Sequence, residues 1–348
     1  MNQTKQTAVV VCPGRGTYNK AELGYLKRYH SDKKGIIDVI DGQRREKGQP
    51  TITQLDSMDR YNLQKHTAGE NASSLIYACA ACDFADINRD QYDIVAVTGN
   101  SMGWYIALAV AQALKAPDSA TLINTMGSMM RSGLIGGQLI YPVTDENWQY
   151  DSEKAQLVCA LLEEASAEGG EGALYLSIAL GGYVVLGGNE EGLALAQNRL
   201  PRVDDTYPMR LYNHAAFHTP LLNDISIRAK QALPSTMFVK PSLPLIDGEG
   251  RVWQPFSTDT QALWDYTLGT QVVAPYDFSK AIEVAIKEFA PDKIIVTGPG
   301  TTLGGAIGQC LVKHKWQGMN SKGDFIQRQQ SDPFLLAMGM ETQRSLAV

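Results

Sequence analysis

Val97-Thr98-Gly99-Asn100-Ser101-Met102-Gly103-Trp104-Tyr105 decides how this chain is read. An apolar strand, Asp93 to Val97, runs straight into it, and a helix-forming run leaves it toward Leu114. A serine between two glycines at a sharp strand-to-helix turn is the pattern of a nucleophile elbow. The missing Cβ atoms at Gly99 and Gly103 let neighbouring chains approach, and the hydroxyl stands proud of the sheet. The turn also opens a helix, whose unpaired N–H groups and positive dipole end favour an oxyanion forming beside the serine. G-x-S-x-G is common by chance, so the surrounding chain must carry the rest of the argument.

Upstream, Ala8-Val9-Val10-Val11-Cys12 is a continuous apolar run ending in Pro13-Gly14-Arg15-Gly16, which reads as a fully buried strand feeding a glycine-rich loop. Its spacing fits neither the dinucleotide fingerprint nor the P-loop. Downstream, Asp292 to Thr297 is a strand running into Gly298-Pro299-Gly300 at another helix start. Helices are expected over Ala72–Phe84, from Ala116-Pro117-Asp118 to near Gly133, up to Leu233, and over Thr258–Leu268 and Asp277–Phe289. A short strand is expected over Pro241–Ile246. Apolar strands alternating with amphipathic helices make an α/β fold with a mainly parallel sheet. In such sheets the crevice lies beyond the carboxyl ends of the strands, so the loops at Gly14, Ser101 and Gly298 are expected to meet.

The rhythm changes at Gly136. Strand Gln138–Val143, helix Asp151–Ala167, strands Ala173–Leu180 and Tyr183–Leu186, helix Glu190–Leu200 and strand Met209–Tyr212 follow, with turns at Gly169-Gly170 and Gly181-Gly182. This β-α-β-β-α-β order is the ferredoxin-like unit. The expected organisation is a large α/β-hydrolase-like catalytic domain made of 1–135 and 213–348, with a ferredoxin-like insertion at 136–212. Beyond Lys315 the chain reads as polar and irregular.

At 348 residues the chain has ample core to bury, and its formal net charge of −6 argues against a nucleic-acid binder. No apolar run approaches the length of a membrane span, and the start is too short for a secretory segment, so a soluble cytoplasmic protein is expected. Five scattered cysteines fit reduced thiols. Cys79-Ala80-Ala81-Cys82 falls in an Ala-rich helical run without a second ligand pair, so buried small residues are expected there and no metal site. The basic stretch from Lys20 to Lys47 reads as a solvated face.

A serine hydroxyl needs a base. Of the five histidines, His30, His66 and His314 sit in polar, charged surroundings and read as surface residues. His214 and His218 both lie in Asn213-His214-Ala215-Ala216-Phe217-His218-Thr219-Pro220-Leu221-Leu222, and the residues alone leave the choice between them open. An ordinary α/β-hydrolase order of serine, acid, histidine would press Asp204 or Asp205 into service, and both read as surface loop residues.

Pro13-Gly14-Arg15-Gly16, Gly99-Asn100-Ser101-Met102-Gly103, Ala216-Phe217-His218-Thr219-Pro220-Leu221 and Gly298-Pro299-Gly300 are four ordered landmarks. Together they resemble those of the malonyl-CoA:acyl carrier protein transacylases and the acyltransferase domains of polyketide synthases. The resemblance covers most of the chain. It implies acyl transfer from acyl-CoA to the phosphopantetheine thiol of an acyl carrier protein through an acyl-serine, in fatty acid or polyketide synthesis, with no permanently bound cofactor and no metal. It further implies Ser101 as nucleophile, His218 as base and His214 as structural. The backbone carbonyl of Gln271, in Gln271-Val272-Val273-Ala274-Pro275, would orient His218, and the backbone amides of Met102 and Arg15 would form the oxyanion hole. The alternative on the same scaffold is an acyl-thioester hydrolase that clears stalled chains; a non-catalytic binding subunit is a third reading.

The chain departs from the resemblance where substrate is concerned. Malonyl-selective members carry an arginine in the helix after the elbow helix, whose fork binds the malonyl carboxylate. Here the alignment puts Met126 at that position, and Arg131, five residues on, points to a different side of the helix. Asn100 replaces the elbow histidine and Arg15 the loop glutamine. Arg15, Asn100, Met126 and Phe217 are therefore the residues expected at the substrate. Either Arg15 takes over carboxylate or phosphate binding, or the pocket takes an uncharged acyl group lined by Met126, and the departures tilt slightly toward the second. The basic run from Lys27 to Lys47 would suit an acidic carrier protein.

Overall fold

Ala8 to Cys12 is apolar at every position because it lies at the centre of a sheet covered on both faces; all five residues have no exposed surface. The computed structural model describes residues 4–130, 133–167 and 172–348. Arg131 and the expected turn at Gly169-Gly170 lie outside the described residues. The strands, in chain order, are β1 (Gln6–Cys12), β2 (Tyr92–Gly99), β3 (Gly137–Pro142), β4 (Leu174–Leu180), β5 (Tyr183–Gly188), β6 (Met209–Arg210), β7 (Leu245–Ile246), β8 (Val252–Trp253), β9 (Tyr276–Asp277), β10 (Lys293–Val296) and β11 (Leu335–Ala337).

A six-stranded sheet has the order β11-β10-β1-β2-β7-β8, parallel except for the β7–β8 pair. Val11 pairs with Val296 on one side and Thr98 on the other, and Cys12 with Gly99. This register brings the carboxyl ends of β10, β1 and β2 side by side. The loops that follow pack together: a Cβ on Gly14 would stand 2.6 Å from the Asn100 carbonyl oxygen, and one on Gly300 would stand 2.5 Å from that of Thr17.

Residues 136–212 contribute β3, helix Ser152–Ala167, β4, β5, helix Glu190–Arg199 and β6. The second sheet runs β6-β3-β5-β4-β9. Its first three pairings are antiparallel, while β9 arrives from outside the segment and pairs parallel with β4. Leu139, Tyr141, Leu161, Leu174, Leu186 and Leu193 form a hydrophobic cluster separate from the main core.

Three sequence expectations are corrected. First, the tail is built into the fold: helix Lys322–Ser331 leads to β11, an edge strand on β10, and helix Glu341–Ala347 closes the chain. Second, His30 and His66 are fully buried. His30 Nε2 lies 2.8 Å from Asp83, which also accepts from Tyr25 Oη (2.8 Å), the Gly298 amide (2.6 Å) and Arg344 Nη1 (2.6 Å). A buried carboxylate so fully paired ties the first helices, the Gly298 loop and the terminal helix together. His66 Nε2 meets the Leu55 carbonyl at 3.0 Å. Third, the stretch Lys20–Lys47 is not a uniformly solvated face. Arg44, on helix Lys34–Glu46, is buried and donates to the carbonyls of Pro50 and Glu70 and to Ser74, Asn124 and Asn71. Polar side chains alone suggest solvent; here buried partners hold His30, His66 and Arg44 inside.

Candidate active site

β2 ends at Gly99, and helix Gly103–Val110 begins four residues later. Between them Ser101 is held at φ 56°, a left-handed conformation that costs an L-residue on the order of 1–3 kcal/mol and persists only where the surroundings dictate it. They do so here. A Cβ on Gly99 would collide with the Gly103 backbone, and one on Gly103 with the Cys12 carbonyl, so only glycine lets strand, turn and helix close. Tyr276 Oη donates to the Gly99 carbonyl at 2.5 Å, and Gln271 Nε2 to the Ser101 carbonyl at 3.1 Å.

Ser101 Oγ and His218 Nε2 are 2.7 Å apart, across 117 residues of chain. His218 Nδ1 lies 2.6 Å from the Gln271 backbone oxygen. A carbonyl oxygen only accepts, so Nδ1 carries the proton and the Nε2 lone pair faces the serine hydroxyl. Asp204 and Asp205 take no part; both are exposed in a turn.

The spacing in Gln271-Val272-Val273-Ala274-Pro275 has a physical explanation. Helix Thr260–Asp265 widens into a π-helical turn over Tyr266–Thr270 and resumes at Gln271–Val273. The Ala274 amide still donates to the Thr270 carbonyl (2.9 Å). The next bond of the ladder would run from residue 275 to the Gln271 carbonyl, but Pro275 has no N–H and its ring crowds that oxygen. The Gln271 carbonyl is thereby released to His218. The Gln271 side chain is occupied separately, accepting from Tyr105 Oη at 2.7 Å.

His218 is buried, at φ 58°, and burial pushes its pKa down to about 4, with the Gln271 bond acting in the opposite direction. The imidazole is thus neutral at pH 7 and able to accept a proton. His214 is pushed lower, to about 3, by burial and by the Arg15 charge; its Nδ1 meets Gln138 Oε1 at 2.8 Å. Gln138 Nε2 donates to Ser177 Oγ, which donates to the Phe217 carbonyl, each at 2.7 Å. His214 therefore braces the backbone beside His218 from the second sheet.

Two pH dependences follow. Acylation of the free enzyme at Ser101 is expected to stay nearly level from pH 8 to 5 in stopped-flow or quench measurements. A histidine at its ordinary pKa of about 6.5 would lose roughly 30-fold over that range. Stability behaves differently. Both histidines hold fewer protons folded than unfolded between pH 6.5 and about 4, so urea midpoints are expected to be fully developed above pH 6.5 and to fall with decreasing pH through that window.

Ser101 and His218 share a cavity with Arg15, Met102, Met126, Phe217 and Gln271, five of the other residues singled out from sequence, and with Ile123, Met130, Leu222 and Val272. Ser73 and Tyr105, which no motif singles out, also line it. Asn100 is not part of this wall; its Oδ1 is buried without a hydrogen-bond partner among the described residues. Among the described residues, the amides of Arg15 and Met102 donate no hydrogen bond, so both are available to an oxyanion. No group of three or more His, Cys, Asp or Glu able to hold a metal occurs among the described residues. No described helix is long and apolar enough to cross a membrane.

The class these observations define is an α/β protein with a serine–histidine pair at a strand-to-helix elbow. No family model and no curated protein matches the sequence. Solved structures do match in fold. The acyl-carrier-protein S-malonyltransferase of Burkholderia pseudomallei 1710b superposes with a TM-score of 0.74 at 18% identity, covering 98% of this chain and 99% of that one. The malonyl-CoA:acyl carrier protein transacylase of Xanthomonas oryzae gives 0.72 at 17% identity, covering 99% and 98%. A malonyl-transacylase solved in complex with its type II PKS acyl-carrier protein gives 0.73 at 15% identity, covering 99% of each chain. The fold of this chain is the one those transacylases have.

Proposed function

We propose that this protein is an acyltransferase that moves an acyl group from coenzyme A to the phosphopantetheine thiol of an acyl carrier protein, through an ester on Ser101. The observation that carries the reading is the 2.7 Å contact between Ser101 Oγ and a His218 Nε2 whose other nitrogen is held by the Gln271 carbonyl. His218 takes the Ser101 proton as Oγ bonds to the thioester carbonyl carbon. The amides of Met102 and Arg15 stabilise the resulting oxyanion. Collapse breaks the C–S bond, and the imidazolium returns its proton to the departing sulfur. In the second half the carrier thiol gives its proton to His218, its sulfur attacks the ester, and Ser101 Oγ leaves and is reprotonated. The Gln271 carbonyl stabilises the imidazolium in both halves without itself accepting a proton.

The fold shared with the carrier-protein transacylases supports this reading, as does the complex one of them forms with its carrier. We read residues 136–212 as a ferredoxin-like insertion in an α/β-hydrolase-like domain made of 1–135 and 213–348; the strand order β6-β3-β5-β4 supports it. The five free cysteines fit a reducing, cytoplasmic setting. Exposed Lys27, Arg28, Lys34, Arg45 and Lys47 offer charge to an acidic carrier. The test compares the lifetime of the acyl-enzyme in water with its lifetime when holo carrier protein is added, followed by intact-protein mass spectrometry. Discharge dominated by the carrier thiol is expected; equal lifetimes would make the protein a thioester hydrolase.

A further inference from the structure

This inference rests on the reading of the cavity as an acyl site and concerns which acyl group it takes. Arg15 reaches the cavity from the loop after β1. Its Nη2 donates to two backbone oxygens, Thr67 at 2.8 Å and Asn213 at 3.1 Å, and its Cζ lies 5.5 Å from the centre of the Phe217 ring. These contacts fix the guanidinium without neutralising it. Among the described residues its buried Nε has no partner, Nη1 has no hydrogen bond and Arg15 forms no ion pair. Among the described residues no carboxylate lines the cavity, whose remaining wall is largely Met, Ile, Leu and Val. Burial pushes the Arg15 pKa down to about 10, with Glu70 acting the other way, so the side chain stays charged at neutral pH. A half-buried cation with idle donors in a largely apolar pocket is costly unless a ligand brings the opposite charge.

We propose that the donor left free on Arg15, at Nη1, receives a free carboxylate on the acyl group, so that the site selects a carboxylated acyl thioester even though position 126 holds a methionine. The slight tilt of the sequence toward an uncharged acyl group is thereby reversed: Met126 and Met130 belong to the apolar part of the wall, and the charge comes from the loop after β1.

The measurement is the rate of Ser101 acylation by malonyl and acetyl thioesters, each supplied both as the coenzyme A ester and as the N-acetylcysteamine ester, which lacks phosphates. The wild-type protein is expected to favour malonyl. Arg15→Gln is expected to lower the malonyl-to-acetyl rate ratio on the order of 100-fold with either donor, and Arg15→Lys, which keeps the charge but fewer donors, by less. Using the ratio removes any general loss of activity or folding. A ratio unmoved by Arg15→Gln, or a wild-type preference for acetyl, overturns the proposal. So does a loss confined to coenzyme A donors and equal for both acyl groups, which assigns Arg15 to phosphate. A wild-type protein that takes up no acyl group from any donor refutes the proposed function itself, a distinct result.

Discussion

Replacing His218 with alanine is expected to slow formation of the acyl-enzyme about 10,000-fold, while leaving the protein folded. The magnitude follows from the geometry. Nε2 is 2.7 Å from Ser101 Oγ, and among the described residues no other side chain is hydrogen-bonded to that oxygen. Without it the hydroxyl must lose its proton to water, in a cavity whose wall is mostly apolar. Removing the imidazole also frees the Gln271 carbonyl, which is buried and then unpaired, so a modest loss of stability accompanies the kinetic effect. His214→Ala is the matched comparison. Its contact is with Gln138, away from the serine, so it is expected to cost far less rate. Quenched-flow acylation of the two variants reads both outcomes; equal losses would remove His218 from the base role.

Gly103→Ala is expected to destabilise the protein by about 2–3 kcal/mol, read as a lower urea midpoint at unchanged slope. The added methyl would collide with the Cys12 carbonyl oxygen and stand 2.9 Å from both the Cys12 carbonyl carbon and the Pro13 oxygen. All three are backbone atoms at the end of the central strand, and no rotamer change moves them aside. Relief requires the elbow helix to separate from β1, which also parts the Met102 amide from the Arg15 amide, so acylation should fall in the same variant. Gly42→Ala is the contrasting case. That glycine lies inside helix Lys34–Glu46 with open space where the Cβ would go, and the change is expected to stabilise by roughly 0.5–1 kcal/mol. A Gly103→Ala protein as stable as wild type would contradict the closure described for the elbow.

The framework was legible in the sequence because both of its signals are local. A continuous apolar run at Ala8–Cys12 and the Ile294-Ile295-Val296 centre of the expected strand Asp292–Thr297 mark strands buried on two faces, and the change of rhythm after Gly136 marks the strands of the second sheet. What escaped notice depends on partners far away in the chain. His30 and Arg44 look like surface residues until Asp83 and the Glu70 carbonyl are placed beside them. β11 has only three residues and is defined by pairing with β10, although Pro333-Phe334-Leu335-Leu336-Ala337-Met338 carried an apolar signal. β9, two residues long, joins the second sheet from outside the segment that builds the rest of it. At the site, Ser101 stood out from its glycines, whereas His218 was separated from His214 by a resemblance and not by the residues themselves. The role of Pro275 is a matter of main-chain bonding and became apparent only once the helix ending at Val273 was seen. Asn100 drew attention as the neighbour of the nucleophile, but residues adjacent in sequence at a sharp turn point different ways, and its side chain is not in the cavity wall.

The most direct measurement is to mix the protein with malonyl- and acetyl-CoA, quench, digest and locate the acyl group by peptide mass. The expected adduct lies on the peptide containing Ser101, is absent from Ser101→Ala, and disappears on addition of holo carrier protein. An adduct on any other residue, or one that forms equally in Ser101→Ala, would contradict the account.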